Sequence, residues 1–186
     1  MATVHEAISE RLREFVLEQK IFFVGTAPAG SEGHVNISPK GMAGSFAVLD
    51  PHRVAYLDFT GSGAETIAHL RDNGRIVLMF CAFAGPPSIV RLHGRGEPIF
   101  PGDPRFSALL GAFPGGAPPG LRSVIVVEVA RVSDSCGFAV PQLEYVADRE
   151  LLVSWAARKS PAQLAEYRAT RNAVSLDGLP ALPPAG

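Results

Sequence analysis

Between residues 21 and 132 the chain is cut into short runs rich in β-branched and aromatic residues, at 21–26, 35–38, 45–49, 53–59, 75–83, 89–96 and 124–132. Turn signals separate the early runs, namely Pro28-Ala29-Gly30, Gly41 and Asp50-Pro51. Inside this stretch the helical pattern at 64–73, with Ile67 and Leu70 and a left-handed cap at Gly74, interrupts the strands before 75–83 resumes them. The strands are not interleaved with helices of crossover length, so a Rossmann-type parallel sheet is excluded and an antiparallel meander is favoured. The run Ile76, Val77, Leu78, Met79 and Phe80 is apolar at every position and predicts a central strand buried on both faces.

Helical and irregular segments flank this core. Residues 3–20 place Ile8, Leu12, Phe15 and Val16 on one helical face, with Thr3 and Glu6 at capping-box spacing. Residues 100–120 are dense in proline and glycine around a helical candidate at 106–113, and read as a mobile surface loop. After Gly137 come a short extended piece, the apolar residues 151–155, and a helix at 160–171 opened by Ser160-Pro161. The expected architecture is mainly β with peripheral helices, one domain over residues 1–178 followed by a proline-rich tail at 179–186 that does not pack. A chain of 186 residues, 47% hydrophobic, is long enough for one sizeable core.

Charge and composition remove several classes of function. The formal net charge is −1 with the basic residues scattered, which is not the footprint of a nucleic-acid binder. No apolar run approaches the roughly 20 residues that span a bilayer, and the first residues lack the apolar core of a secretory signal, so a cytoplasmic protein without a membrane anchor is expected. Cys81 and Cys136 stand far apart and are read as two buried thiols. His5, His34, His52 and His69 show no metal-ligand spacing, and no metal is assigned.

Chemistry concentrates in two segments, Asn36-Ile37-Ser38-Pro39-Lys40-Gly41 and Tyr56-Leu57-Asp58-Phe59-Thr60-Gly61-Ser62-Gly63-Ala64-Glu65-Thr66. Lys40 taken alone is an ordinary strand-to-turn lysine. The second segment joins a strand to a helix through two glycines, which let the backbone approach a ligand, and free N–H groups there suit a phosphate. The same residues predict that Ser62 caps the helix with Glu65 folding back in a capping box, leaving Thr66 and backbone amides toward the anion. Lys40 or Arg91 then has to supply the positive charge. Alternation in 89–96 puts Ile89, Arg91 and His93 on one face and Val90 and Leu92 on the other. His93 is read as structural, no Ser/His/Asp ordering suggests a hydrolase, and no residue is assigned as catalytic.

Together, Asn36-Ile-Ser-Pro-Lys40-Gly, Tyr56-Leu-Asp58-Phe-Thr60-Gly-Ser62-Gly, Asn73-Gly-Arg-Ile-Val-Leu-Met-Phe and Val90-Arg91-Leu-His-Gly94 resemble the flavin-binding split barrel of the pyridoxamine 5′-phosphate oxidase superfamily, over residues 5 to 178. Cys136-Gly-Phe-Ala-Val-Pro141 and Ser175-Leu-Asp-Gly-Leu-Pro180 are similar to members of unassigned substrate. The resemblance implies a six-stranded antiparallel split β-barrel, working as a homodimer with FMN across the subunit interface. It places Asn36, Ser38 and Lys40 along the flavin ring, Phe59, Thr60, Ser62 and Thr66 near the ribityl phosphate, and Arg91 as a substrate or cofactor anchor. A lysine beside the ring favours its anionic reduced form.

Two departures bear on the substrate. The vitamin B6 oxidases carry a basic pair where this chain has Glu65 and Thr66, and Trp155 with Lys159 only loosely echoes their C-terminal signature. Pyridoxamine phosphate is therefore a poor candidate. The function implied is an FMN-dependent oxidoreductase acting on a small apolar or aromatic molecule, beside a flavin face fringed by Phe83, Pro86 and Pro87. The alternatives are a deazaflavin-dependent oxidoreductase of the same fold and a flavin- or haem-binding module without turnover. A dimer is also expected physically, because an open barrel leaves strand edges and an apolar face for a two-fold partner to cover.

Overall fold

A computed structural model of the chain describes residues 3–183. In chain order the elements are β1 (Thr3–His5), α1 (Glu10–Glu18), β2 (Ile21–Thr26), β3 (Asn36–Gly41), β4 (Phe46–Asp50), β5 (Arg53–Phe59), α2 (Glu65–Asp72), β6 (Arg75–Cys81), β7 (Ile89–Ile99), α3 (Phe106–Leu110), β8 (Leu121–Ser135), α4 (Leu151–Ala157) and α5 (Pro161–Arg171). The strands form one antiparallel sheet in the order β3-β2-β6-β7-β8-β5-β4, with β1 paired to β8 off that path. Among the described residues eight strands therefore stand where six were expected. The 15 residues of β8 explain the surplus, since they pair along β7 while holding β5 at one end and β1 at the other.

The sheet curls until its two edges meet through side chains. Phe22 of β2, Phe46 of β4, Tyr56 of β5 and Phe80 of β6 pack with ring centroids 5.0–5.5 Å apart. Neighbouring strands are joined by hydrogen bonds everywhere except between β3 and β4, so the barrel is split there. Inside it, Leu12 and Val16 of α1 and Ile67 and Leu70 of α2 join Val24, Leu78, Leu92 and Ile125 in one core. A second, smaller cluster of Leu57, Ile99, Phe113 and Val124 anchors the 100–120 region. Its helix α3 ends at Leu110, short of the predicted 113.

Several expectations need correction. Residues 3–20 are not one helix: Thr3–His5 is a strand, because the free edge of β8 offers it a partner, and the helix starts later at Ser9, whose Oγ accepts from the Leu12 N–H. Central strand β6 buries Ile76, Leu78 and Phe80 but leaves Val77 and Met79 half-buried on the outer face, so it is buried on one face only in the single chain. Residues 151–155 lie in α4. The tail does pack: Ala181 is buried in the main core, accepts from Arg71 and donates its N–H to Ala173 O. Leu179 and Leu182 pack against that core as well, and residues 184–186 of the predicted tail lie outside the described residues. Cys81 is buried as predicted, but Cys136 is exposed, because it sits just past the end of β8.

Other readings stand. Gly74 takes the left-handed conformation at φ 72°, Ser160 and Gln163 form a capping box on α5, and Val90 and Leu92 are buried while Arg91 and His93 face outward. Among the described residues no helix is long and apolar enough to cross a membrane.

Candidate functional site

Strand register decides where the polar side chains of β3 go. Asn36, Ser38 and Lys40 lie opposite Thr26, Val24 and Phe22, all buried, so the three share the inner face, while Ile37 and Pro39 face outward. Asn36 Nδ2 donates to Thr66 Oγ1 at 3.2 Å and to Thr26 Oγ1 at 3.3 Å, and Ser38 Oγ donates to Asn36 Oδ1 at 3.2 Å. Thr26 Oγ1 also meets His69 Nδ1 at 3.0 Å in the core. Three predicted site residues, Asn36, Ser38 and Thr66, are thereby drawn into one hydrogen-bonded chain between β3 and α2.

Lys40 reaches across the split. Its Nζ lies 3.4 Å from Asp58 Oδ1, a carboxylate with 1% side-chain exposure. Alternation along β5 forces this burial, since Asp58 shares the core face with Val54 and Tyr56. A buried carboxylate needs partners, and Asp58 also accepts from Arg122 Nε at 2.8 Å and Ser123 Oγ at 3.2 Å. Burial by itself would push the Asp58 carboxyl up, but the charges of Lys40 and Arg122 and their hydrogen bonds outweigh it and hold the group below its ordinary value. Tyr56 behaves oppositely: burial, with the Asp58 charge adding to it, keeps its phenol neutral far above the usual range.

Beyond Phe59 the strand enters the glycine turn. Thr60 is fully buried, and its Oγ1 accepts from Arg168 Nε of α5 at 2.8 Å. Ser62 is exposed and does not cap α2, whose N-cap is Ala64 without a side-chain bond. Glu65 accepts instead from the Leu176 N–H at 3.0 Å, so the predicted capping box is replaced by a tie to the C-terminal segment. A folded-back C-terminus competes successfully for that carboxylate, which short-range spacing cannot reveal.

Around the split opens a cleft of about 1010 Å³. It is lined by Phe23 and Pro39, by Lys40, Leu57, Phe59 and Gly61, and by residues 143–145, 147–149, 151 and 152 of the C-terminal part. The C-terminal part of this lining is pinned where Leu143 N donates to Phe83 O, where Ala43 N donates to Asp148 Oδ2, both at 2.9 Å, and where Lys20 lies over the Tyr145 ring. Phe83 lines the cleft, whereas Pro86 and Pro87 lie outside its lining and are exposed. At its rim Met42 holds φ 78°, a left-handed conformation costly for a side chain with a Cβ. Met42→Gly is expected to stabilise the fold by about 1 kcal/mol, read as a higher denaturant midpoint, and an unchanged midpoint would mean that the turn stores no strain.

Arg91 is not brought to this cluster within the chain. It sits on the outer face of β7, three strand spacings or roughly 14 Å from Pro39 along the sheet, and donates to Ser135 Oγ at 3.1 Å. Beside it the imidazole of His93 is pushed toward neutrality by burial and by the charges of Arg131 and Arg91. The positive charge near the turn comes instead from Arg122 and Arg168, which the sequence reading did not single out. A lone acid inside an apolar strand, Asp58, was the available signal that a cation had to arrive from elsewhere. Among the described residues, no three His, Cys, Asp or Glu side chains converge as a metal-ligand set.

Comparison with known proteins agrees with the motifs. Residues 8–136 match the family model for pyridoxamine 5′-phosphate oxidase. The chain is 41% identical to the pyridoxamine 5′-phosphate oxidase family protein ustO of Aspergillus flavus, over 98% of this chain and 78% of that one. Among solved structures, a HupZ variant from Group A Streptococcus superposes with a TM-score of 0.56 at 23% identity, covering 69% of this chain and 99% of that one. A 5-nitroimidazole antibiotic resistance protein from Bacteroides thetaiotaomicron, so described as a candidate, gives 0.50 at 15% identity, covering 72% and 87%. At these identities the two structures speak for the fold.

Proposed function

The chain belongs to the pyridoxamine 5′-phosphate oxidase family, and from that premise we propose that it is an FMN-binding flavoprotein that acts as an oxidoreductase on a small molecule. The observation that carries this reading is the cleft at the split. Its lining is largely apolar, with Phe23, Phe59 and Tyr145 suited to a planar ring, and carries Lys40 at one point and Gly61 of the glycine turn at another. A side chain added at Gly61 would meet nothing closer than Phe59 O at 3.9 Å, so the backbone is open to a ligand there.

Within this reading Lys40 borders the flavin ring and Phe59 and Gly61 border its phosphorylated end, with Ser62 exposed beside them, while Asn36 and Ser38 lie outside the cleft lining and hold β3 against α2. Thr60 and Thr66 are buried behind that surface and act by supporting it. Bound flavin supplies the two-electron chemistry. The protein's own part is to exclude water with the apolar walls and to keep a cation at Lys40, whose charge favours an anionic ring and is shared with Asp58. A substrate entering beside those walls is apolar or aromatic.

The active unit in this proposal is a homodimer. Val35 and Ile37 are 72% and 69% exposed, and Val77 and Met79 stay half-covered on the outer face of a central strand. Phe138 and Val146 are more exposed still, at 81% and 88%. A second copy lying across this face would cover that surface and bring its Arg91 and Arg131 toward the cofactor.

Absorption by the purified protein, followed by titration with FMN, tests the reading. Yellow flavin bands and saturable quenching of flavin fluorescence are the expected result. A band at shorter wavelength would assign the deazaflavin coenzyme instead, and no binding of either would refute the proposal. Lys40→Ala is expected to weaken FMN binding by about tenfold, equivalent to ~1.4 kcal/mol. The fold should survive, because Asp58 keeps Arg122 and Ser123. Unchanged affinity would remove Lys40 from the site.

A further inference from the structure

The glycine turn is gripped from behind by three side chains that come from β8 and the C-terminal helix. Asn172 Nδ2 donates to Gly61 O at 3.0 Å, and Arg122 Nη1 donates to Gly63 O at 3.0 Å and to Asn172 Oδ1 at 2.8 Å. Arg168 donates to Thr60 Oγ1 and, through Nη2, to Leu121 O at 2.9 Å. Asn172 is fully buried and Arg122 nearly so, which fixes these contacts in place. In a trans peptide the C=O and the following N–H point in opposite directions. With the Gly61 carbonyl drawn inward, the Ser62 N–H leaves the other side of its peptide plane, where Ser62 is exposed, whereas Ala64, which follows the inward Gly63 carbonyl, is itself buried.

Charge in this cluster is unbalanced. Lys40, Arg122 and Arg168 are three cations gathered about one buried carboxylate, Asp58. Arg168 has no carboxylate partner among the described residues, although its guanidinium is packed against Thr60 and Leu121. Glu65 is the neighbouring acid: its Oε1 lies 3.7 Å from where a Cβ on Gly63 would stand, and it is bonded to Leu176 N. Even with Glu65 counted, positive charge is in surplus. A surplus of half-buried cations is costly unless an anion completes it.

We propose that Arg122, Arg168 and Asn172 are positioning residues for a phosphate monoester, holding the turn with its Ser62 amide outward and supplying from behind it the positive charge that vitamin B6 oxidases place at the start of the helix. Arg168 contributes most of the selectivity, because Arg122 is already neutralised by Asp58. The proposal rests on the reading of the cleft as a flavin site and adds how its phosphate end is recognised in this chain.

FMN and riboflavin differ only in that phosphate, so paired titrations by flavin fluorescence separate the two claims. The intact protein should bind FMN at least tenfold more tightly than riboflavin. Arg168→Met should lower FMN affinity far more than riboflavin affinity, removing most of that preference, with some loss of melting temperature because Thr60 Oγ1 and Leu121 O lose a donor, and Arg168→Lys should restore part of the preference. Should Arg168→Met fail to fold, Arg168→Lys and Asn172→Ser carry the same comparison, each with a reduced FMN preference. Equal affinity of the intact protein for both flavins overturns this proposal and leaves the flavin reading standing. Parallel loss of both affinities in the variants overturns it too, by making the three residues merely structural. Binding of neither flavin by the intact protein removes both claims together.

Discussion

Arg122→Ala is expected to destabilise the fold by about 3–5 kcal/mol, the cost of leaving a buried carboxylate without its principal partner. Arg122 is 4% exposed and makes hydrogen bonds to both oxygens of Asp58, to Gly63 O and to Asn172, so one truncation orphans several buried groups. For a chain of this length that loss lowers the melting temperature by roughly 10 °C or more. The pH dependence has a definite sign. Asp58 has a depressed folded-state pKa, so its contribution is present above the unfolded value of about 4 and is lost as pH falls through the lower folded value. In Arg122→Ala burial opposes ionisation with only Lys40 nearby, so the acid loss should begin closer to neutral pH. Denaturant midpoints measured for both proteins from pH 7 to pH 3 check this. Coincident pH profiles would mean that Asp58 does not depend on Arg122.

Gly94→Ala should be the more severe of two strand substitutions that look conservative. At the β-bulge between His93 and Gly94, the backbones of β7 and β8 approach so closely that a Cβ on Gly94 would lie 2.0 Å from Glu128 O and 2.9 Å from Glu128 C. Those are backbone atoms and cannot swing aside. Relief requires breaking the β7–β8 ladder, the pairing on which both β5 and β1 depend through β8. A loss of about 4 kcal/mol or more, or failure to accumulate folded protein, is expected. Gly25→Ala is the control, since its new Cβ would press at 2.9 Å on Val77 Cγ1, a side-chain methyl that can adjust. Circular dichroism melts of the two variants compare them directly. Similar melting temperatures would show that the close approach at Gly94 does not constrain the sheet.

How legible this molecule is from its residues depends on the range over which each feature is determined. The strands of the meander and helix α2 are written locally, in β-branched runs and the turns between them, and β2 and β5 occupy the predicted residues 21–26 and 53–59. The inward face of Asn36, Ser38 and Lys40 follows from the period of two along a strand. By contrast, β1 is a strand only because β8 is long enough to receive it, and Thr-Val-His carries no marker of its own. The tail packs because Arg71 and Ala173 bond to Ala181 and because Leu179 and Leu182 find apolar neighbours, which proline content does not forbid. Ser62 loses its expected cap because the C-terminal segment claims Glu65.

The site divides along the same line. Lys40, Phe59 and the glycine turn stand out in short motifs. Arg122 and Arg168 reach Asp58 and Thr60 across 64 and 108 residues, and Asn172 reaches Gly61 across 111. Only the folded chain joins them. The positive charge sought at Lys40 or Arg91 is found behind the turn, and Arg91 faces outward on another part of the sheet, where a second copy would have to meet it.

Native mass spectrometry of the protein incubated with FMN tests the central claim most directly, because it reads subunit number and bound cofactor in one species. A particle of two chains carrying two FMN molecules, losing them on Lys40→Ala before it loses its dimeric state, is the predicted result. A single chain that carries no FMN at concentrations well above those that saturate flavoproteins of this family would contradict it.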